Sequence, residues 1–324
     1  VEKMKLKMLY SGMKSEIDII EKELETALNS SSHFLNEASL HLLKAGGKRI
    51  RPVFVLLAAK FGQYDIQQIK NVAVPLELIH MASLVHDDVI DNAELRRGRE
   101  TVKAQYNNRV AMYAGDFIFA KALEYMTQIK KQQAHQVLSN TMVEICVGEI
   151  IQIEDKQVLK QNLRDYFRRI KRKTAVLISS SCELGAIASG ASPEVVRHMR
   201  RFGYYVGMSF QIIDDILDFT ATDKQLGKPA GSDLMQGNVT LPALYALEDD
   251  QIRPMIEKVI EGPITEGERQ QLLKAIRKSD AIQKANHISD LYLQKALKEV
   301  DKLPNHPVNK SLVDIANFMG KRKF

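Results

Sequence analysis

Tryptophan is absent from this 324-residue chain, cysteine occurs twice, and glycine and proline are few, at 17 and 9. So little turn chemistry over that length leaves long stretches uninterrupted, and the composition reads as all-helical. No stretch approaches the ~20 consecutive apolar residues of a membrane span, so no spanning helix is expected. The first residues, VEKMKLKMLY, carry lysines but no apolar run and no small-residue cleavage site, and no secretory leader is expected. Cys146 and Cys182 lie far apart in apolar helical contexts without metal-ligand spacing. The expectation is two buried thiols in a reducing, cytoplasmic setting. Aromatics make up only 6% and do not alternate with the basic clusters, as a stacking platform for nucleic acid would require. With 45% hydrophobic residues the chain can bury a sizeable core, and residues 1–324 are read as a single domain.

What is present is acid where acid is costly. Two pentads, Asp87-Asp88-Val89-Ile90-Asp91 and Asp214-Asp215-Ile216-Leu217-Asp218, interrupt apolar helical runs. Residues four apart share a helix face, so Asp87 stacks on Asp91 and Asp214 on Asp218. Like charges at that spacing cost roughly 0.2–0.5 kcal/mol per pair, and desolvation adds more. Two copies of one unfavourable pattern point to a shared counter-charge, most economically a divalent metal. All-oxygen ligation favours Mg²⁺, which binds through one or two carboxylates plus substrate phosphates. His80 and Ser83 continue the Asp87/Asp91 stripe, which reads either as a solvated face or as the lining of a polar site. Around the second pentad GMSFQIIDDILDF is otherwise nearly all apolar, so its acids, with Gln211, need partners.

The net charge is +6, and its excess is clustered at Arg96, Arg97 and Arg99, at Arg168 to Lys173, and in the tail Lys321, Arg322, Lys323. Such clusters suit polyanions, anionic membrane or phosphorylated small molecules. Arg96 and Arg97 follow the first pentad by about a turn and suit bidentate phosphate contacts; an ion pair with Asp91 or Glu94 is the alternative. Gly46-Gly47-Lys48-Arg49-Ile50-Arg51-Pro52 combines a glycine turn, three cations and a helix start, which makes an anion site without the Walker spacing.

The pattern predicts helices over about 2–29, 33–45, 53–61, 66–92, 102–129, 131–155, 160–189 and 194–220. Pro75 should kink the fourth. A mobile loop follows over 221–238, then shorter helices over 240–319. No short-period repeat is found.

HDDVIDNAELRRG, GGKRIRP, KRKT and FQIIDDILDF followed by LGKPAGSDL, in this order and spacing, resemble the trans-polyprenyl diphosphate synthases over essentially the whole chain. Within that family, KMLYSGMKSEIDIIEKEL, HMASLVHDD and the ending GKRKF most resemble the large catalytic subunits (component II) of heptaprenyl diphosphate synthases. The resemblance implies an all-α bundle of roughly a dozen mostly antiparallel helices around a deep central cavity. It implies head-to-tail addition of isopentenyl diphosphate to an allylic diphosphate, farnesyl or geranylgeranyl. It also implies two to three Mg²⁺ ions and a product for a menaquinone side chain, for which heptaprenyl (C35) is the first reading and another length (hexaprenyl, geranylgeranyl) the alternative. A small non-catalytic partner (component I), or a homodimer when alone, is implied as well. No nucleic acid and at most peripheral membrane contact are implied.

Carried over by motif, Asp87, Asp88 and Asp91 would hold metal, as would Asp214, Asp215 and Asp218. Arg96 and Lys173 would grip the allylic diphosphate, with Thr174 and Gln211 beside the reacting carbon and Lys228 closing from the loop. Lys48, Arg51, His80 and Arg97 would bind isopentenyl diphosphate. Asn92 and Glu100 depart from the commoner Asp and Pro of the family, and Pro75 stands where a plain helix former is normal. Ala82 and Ser83, five and four residues before the first aspartate, are small where short-chain synthases carry aromatics. The pocket should therefore extend toward Leu78, each turn adding about 5.4 Å. A terpene cyclase would want a different second metal motif and an aromatic pocket. A non-catalytic relative would have lost its aspartates.

Overall fold

Ser32 and Asp65 each begin a helix by offering a side-chain oxygen to a backbone N–H two or three residues on, those of Leu35 and Gln67. Asn107 does the same for Val110, and Asn162 and Thr265 close full capping boxes with Asp165 and Glu268. These caps punctuate the computed structural model, which describes residues 10–96, 98–226 and 228–322.

The helices are α1 (Lys14–Ala27), α2 (His33–Lys44), α3 (Ile50–Ala59), α4 (Ile66–Ile90), α5 (Val102–Gln105), α6 (Asn108–Met126), α7 (Gln132–Glu154) and α8 (Leu163–Ile170). A π-helical turn (Lys171–Ala175) joins α8 to α9 (Val176–Ala188), and α10 (Pro193–Thr220) follows. Then come α11 (Asp223–Leu226), α12 (Ser232–Met235), α13 (Leu241–Ala246), α14 (Arg253–Glu261), α15 (Glu266–Lys278), α16 (Ala281–Val300) and α17 (Val308–Gly320). The described strands, β1 (Leu95–Arg96) and β2 (Arg99–Glu100), form a two-residue antiparallel hairpin, so the chain is all-α as expected.

Several boundaries differ from the sequence reading. The helix expected over 102–129 is broken, because Asn107 caps a new helix instead of continuing the old one. The helix expected over 160–189 starts at Leu163 and contains the π turn. The 221–238 segment holds two one-turn helices. Helix α4 runs unbroken through Pro75. Cys182 is buried as expected, whereas Cys146 is exposed. Among the described residues no helix is long and apolar enough to cross a membrane.

The chain divides into two compact units. The first comprises Val1–Met142, Ser180–Arg200 and Leu303–Ser311. Within it α3 is buried on nearly every side, and α4 packs along α6. Helix α1 is strapped on by polar contacts: Glu23 accepts from Lys70 at 2.7 Å and from the Tyr125 hydroxyl at 2.8 Å. The second unit comprises Val143–Ser179, Arg201–Lys302 and Leu312–Phe324. Its core gathers Tyr166, Ile212, Ile216, Phe219, Leu234, Leu241, Ile256, Leu272 and Ile276 around the C-terminal part of α10.

Candidate active site

In the first unit, α4 ends inside the first pentad. Asp91 is the C-cap, and its N–H still reaches the Asp87 carbonyl at 2.8 Å. Asn92 follows with φ 51°, its N–H on Val89 O, and the Ala93 N–H returns to Asp88 O at 2.9 Å. This double closure is a Schellman motif, which needs a left-handed residue; asparagine tolerates that conformation better than most side chains. The Asn92 departure thus has a local cause.

Asp88 is buried, and one of its oxygens accepts from Arg96 Nε at 2.8 Å and Nη2 at 2.7 Å. Arg96 therefore does make an ion pair, but with Asp88, not with Asp91 or Glu94. Glu94 takes Lys103 instead, at 2.5 Å. Asp87 and Asp91 are half-buried. On the same helix His80 is half-buried, and the Ser83 hydroxyl donates back to the His80 carbonyl at 2.8 Å. Ala82 and Leu78 are fully buried. Arg97, expected to bind isopentenyl diphosphate, lies outside the described residues.

The glycine turn behaves as its chemistry suggests. Gly46, at φ 78°, terminates α2 with its N–H on Leu43 O at 2.9 Å, a conformation an L side chain would strain. Lys48 and Arg51 are half-buried on either side of Arg49. Arg49 was counted among the anion-binding cations, but its side chain turns inward. It is 6% exposed and pairs with Glu21 and Glu77. Burial alone would lower the guanidinium pKa, but the two carboxylates hold it above its ordinary value.

In the second unit four expected residues, Lys173, Thr174, Gln211 and Asp215, lie in one hydrogen-bonded neighbourhood. The Thr174 hydroxyl donates to Gln211 Oε1 at 2.6 Å, the Gln211 amide donates to Asp215 at 2.8 Å, and the Tyr166 hydroxyl donates to the other Asp215 oxygen at 2.7 Å. Lys173 donates to Gln152 at 2.8 Å, with Glu149 at 3.9 Å. The π turn supplies both Lys173 and Thr174. It lies close against α10, where a Cβ on Gly207 would come within 2.6 Å of the Ala175 Cα.

The three acids of the second pentad differ sharply. Asp214 is half-buried and pairs with Arg322. Asp215 is 3% exposed, and burial raises its pKa to about 7, against the lowering effect of its Tyr166 and Gln211 hydrogen bonds and with Asp233 and Asp214 adding repulsion. Asp218 accepts from Lys228 at 2.9 Å, from the Ser232 hydroxyl at 3.2 Å and from the Asp233 N–H at 3.3 Å. Burial raises the Asp218 pKa and repulsion from Asp233 adds to it, while Lys228 opposes. Lys228 also reaches Asp233 at 2.7 Å; partial burial opposes its charge, but the two aspartates hold it well above the lysine range. Among the described residues no three His, Cys, Asp or Glu side chains are gathered as a ready-made metal site. The donors are all hard oxygens, which suit a hard cation, and positive side chains already sit on three of them, Asp88, Asp214 and Asp218.

Tyr166, Gln152, Asp233 and Arg322 were not singled out as site residues. Gln152 carried a usable signal: Glu149 and Gln152 stand one turn apart in the apolar run VGEIIQI, the same anomaly as the pentads. Arg322 was visible only as part of a basic tail and Asp233 only as part of the LGKPAGSDL motif, and Tyr166 gave no sign.

Comparison with known proteins fits this chemistry. Residues 32–278 match the model of the Polyprenyl synthetase family, and the chain belongs to that family. At the level of individual proteins, it is 57% identical to heptaprenyl diphosphate synthase component 2 of Bacillus subtilis, over 100% of this chain and 93% of that one. Among solved structures it resembles the heptaprenyl diphosphate synthase of Staphylococcus aureus, with a TM-score of 0.91 and 44% identity over 96% of this chain and 98% of that one. It also resembles a polyprenyl synthase from Caulobacter crescentus complexed with calcium and isoprenyl diphosphate, with a TM-score of 0.93 and 28% identity over 98% of both chains. The chain is thus a prenyl transferase of the polyprenyl synthase type with the all-α isoprenoid synthase fold.

Proposed function

We propose that this chain, acting as one domain, adds isopentenyl diphosphate units head-to-tail to farnesyl or geranylgeranyl diphosphate to make heptaprenyl (C35) diphosphate, a menaquinone side-chain precursor, in the cytoplasm. The observation that carries the reading is the linked set Thr174–Gln211–Asp215–Tyr166, with Lys173 beside it on the same π turn.

Two to three Mg²⁺ ions would be held by Asp87, Asp88 and Asp91 and by Asp214, Asp215 and Asp218. When bound they would take up charge developing on the departing diphosphate. Arg96, Lys173 and Lys228 would hold that diphosphate and favour ionisation of the allylic C–O bond. Gln211 gives its amide hydrogens to Asp215, so its carbonyl oxygen is turned toward the Thr174 hydroxyl. Two electron-rich oxygens are thereby fixed together, and they would stabilise the allylic cation. Lys48, Arg51, His80 and Arg97 would hold isopentenyl diphosphate so that its double bond attacks that cation at near-attack distance. The proton lost afterwards would pass to the released diphosphate.

The Bacillus subtilis relative is named component 2, and a small component I subunit is the partner proposed here, with a homodimer in its absence. An exposed apolar stripe on α7 supports a partner: Val143, Val147, Ile150 and Ile153 follow one another at helical spacing, 59%, 38%, 56% and 50% exposed. The test is release of diphosphate from farnesyl plus isopentenyl diphosphate, with and without Mg²⁺ and with and without the small subunit, with chain length read by thin-layer chromatography. A C35 product supports the proposal. No turnover under any of these conditions would favour a non-catalytic subunit of the same fold.

A further inference from the structure

Arg49 stands in the middle of the cationic loop, yet it cannot itself meet a substrate anion. Its backbone is left-handed, at φ 48° and ψ 35°, a conformation an L residue adopts only when its surroundings require it. That twist sends the side chain into the first unit. There Nε and Nη2 grip both oxygens of Glu21 on α1, the Nη2 contact being 3.1 Å, and Nη1 donates to Glu77 Oε1 on α4 at 3.2 Å. Glu77 is 2% exposed, and burial, followed by repulsion from Glu77, raises the pKa of the nearby Tyr10 hydroxyl. Arg49 uses its fork in two directions at once, which lysine's single ammonium cannot reproduce.

Glu77 lies on α4, one turn before His80 and ten residues before Asp87, about 15 Å along the helix. We propose that Arg49 is a positioning residue. By tying the Lys48–Arg51 loop through Glu21 to α1 and, by the same guanidinium, through Glu77 to the helix that carries the first aspartate pentad, it fixes where the second diphosphate is held relative to the allylic one. This inference rests on the reading that Lys48 and Arg51 bind isopentenyl diphosphate. Holding two reactants at a set separation contributes strongly to rate, and small misplacements are costly. Loss of the tie should therefore weaken isopentenyl diphosphate binding and leave binding of the allylic primer unchanged.

The experiment is steady-state kinetics of the full chain with its small subunit, each substrate varied in turn, on Arg49→Lys, Glu21→Gln, the double variant, Lys48→Gln and Arg51→Gln. Thermal melting accompanies each. Arg49→Lys should raise KM for isopentenyl diphosphate about tenfold (about 1.4 kcal/mol) with less than a twofold change in KM for farnesyl diphosphate. Glu21→Gln, which folds more safely because Glu21 is partly exposed, should raise the same KM by a few-fold. The double variant should be no worse than Arg49→Lys, because both act through one contact. Equal rises in both KM values, an unchanged isopentenyl diphosphate KM in both single variants, or additive effects in the double would overturn the inference. If Lys48→Gln and Arg51→Gln leave that KM unchanged, the underlying reading of the loop fails instead.

Discussion

Asp214, Asp215 and Asp218 sit within five residues, yet they do three different things. Asp214 is the accessible acid, Asp215 is a buried acceptor that orients Gln211, and Asp218 ties down the following segment. The buried one has a pH consequence. An unfolded aspartate ionises near its ordinary 3.8, whereas burial holds Asp215 protonated to about 7. The unfolded state therefore binds fewer protons across that window, and the metal-free protein should lose stability as pH rises from about 4 to about 7, by up to ~1.4 kcal/mol per pH unit. Urea melts of wild type and Asp215→Asn without divalent metal test this, and the Asn variant should have the flatter profile. For the first pentad, Asp87→Ala should lower turnover by at least about 10²-fold, the scale of losing one charge-stabilising group, with an unshifted melting midpoint. Near-normal turnover would move the metal site elsewhere.

Among the elements, α4 carries the most information, because one helix holds Leu78, Ala82, Ser83, His80 and the first pentad. If a growing prenyl chain passes beside Ala82, phenylalanine there should be accommodated and the product shortened, and Ser83→Phe should act alike. If Ala82 is instead packed in solid core, the larger side chain should cost roughly 1–3 kcal/mol and leave chain length alone. Thin-layer analysis alongside melting separates the two. Much of this helix was readable in advance: its start near Ile66, its length and its acidic end all follow from local chemistry. The break at Asn107 was not, since an asparagine inside a helical pattern becomes a cap only once its side chain turns onto Val110. The π turn was equally hidden, because KRKTA contains no helix breaker and the close approach of Gly207 to Ala175 is a tertiary contact no local pattern announces. The inward turn of Arg49 was missed for a similar reason: Glu21 and Glu77 are far away in sequence and carry no motif.

For the molecule as a whole, the apolar stripe on α7 is a surface left exposed among the described residues. Placing a charge in it, as Val147→Asp, should abolish co-elution with the small subunit on gel filtration without lowering the melting midpoint. Retained co-elution would put the contact on another face. Composition and helical period were enough to give the all-α class. The pentads marked the chemistry because acids in apolar helices are anomalous wherever they occur, and nothing comparable marks an apolar surface as a meeting place.

Asp218 offers a practical gauge. It fastens the stretch after α10 by a lysine, a hydroxyl and two backbone amides, those of Asp233 at its carboxylate and Gly231 at its carbonyl. Lys224 and Lys228 are the basic residues between 221 and 238, and the bond after Lys228 leads into proline, so trypsin is left with Lys224. A divalent cation held by the Asp218 carboxylate would compete with the lysine, the hydroxyl and the Asp233 amide for it, so cutting at Lys224 should quicken with Mg²⁺ alone and slow again once pyrophosphate engages Lys228. A timed digest read on a gel would then report the state of this corner of the enzyme without any measurement of turnover.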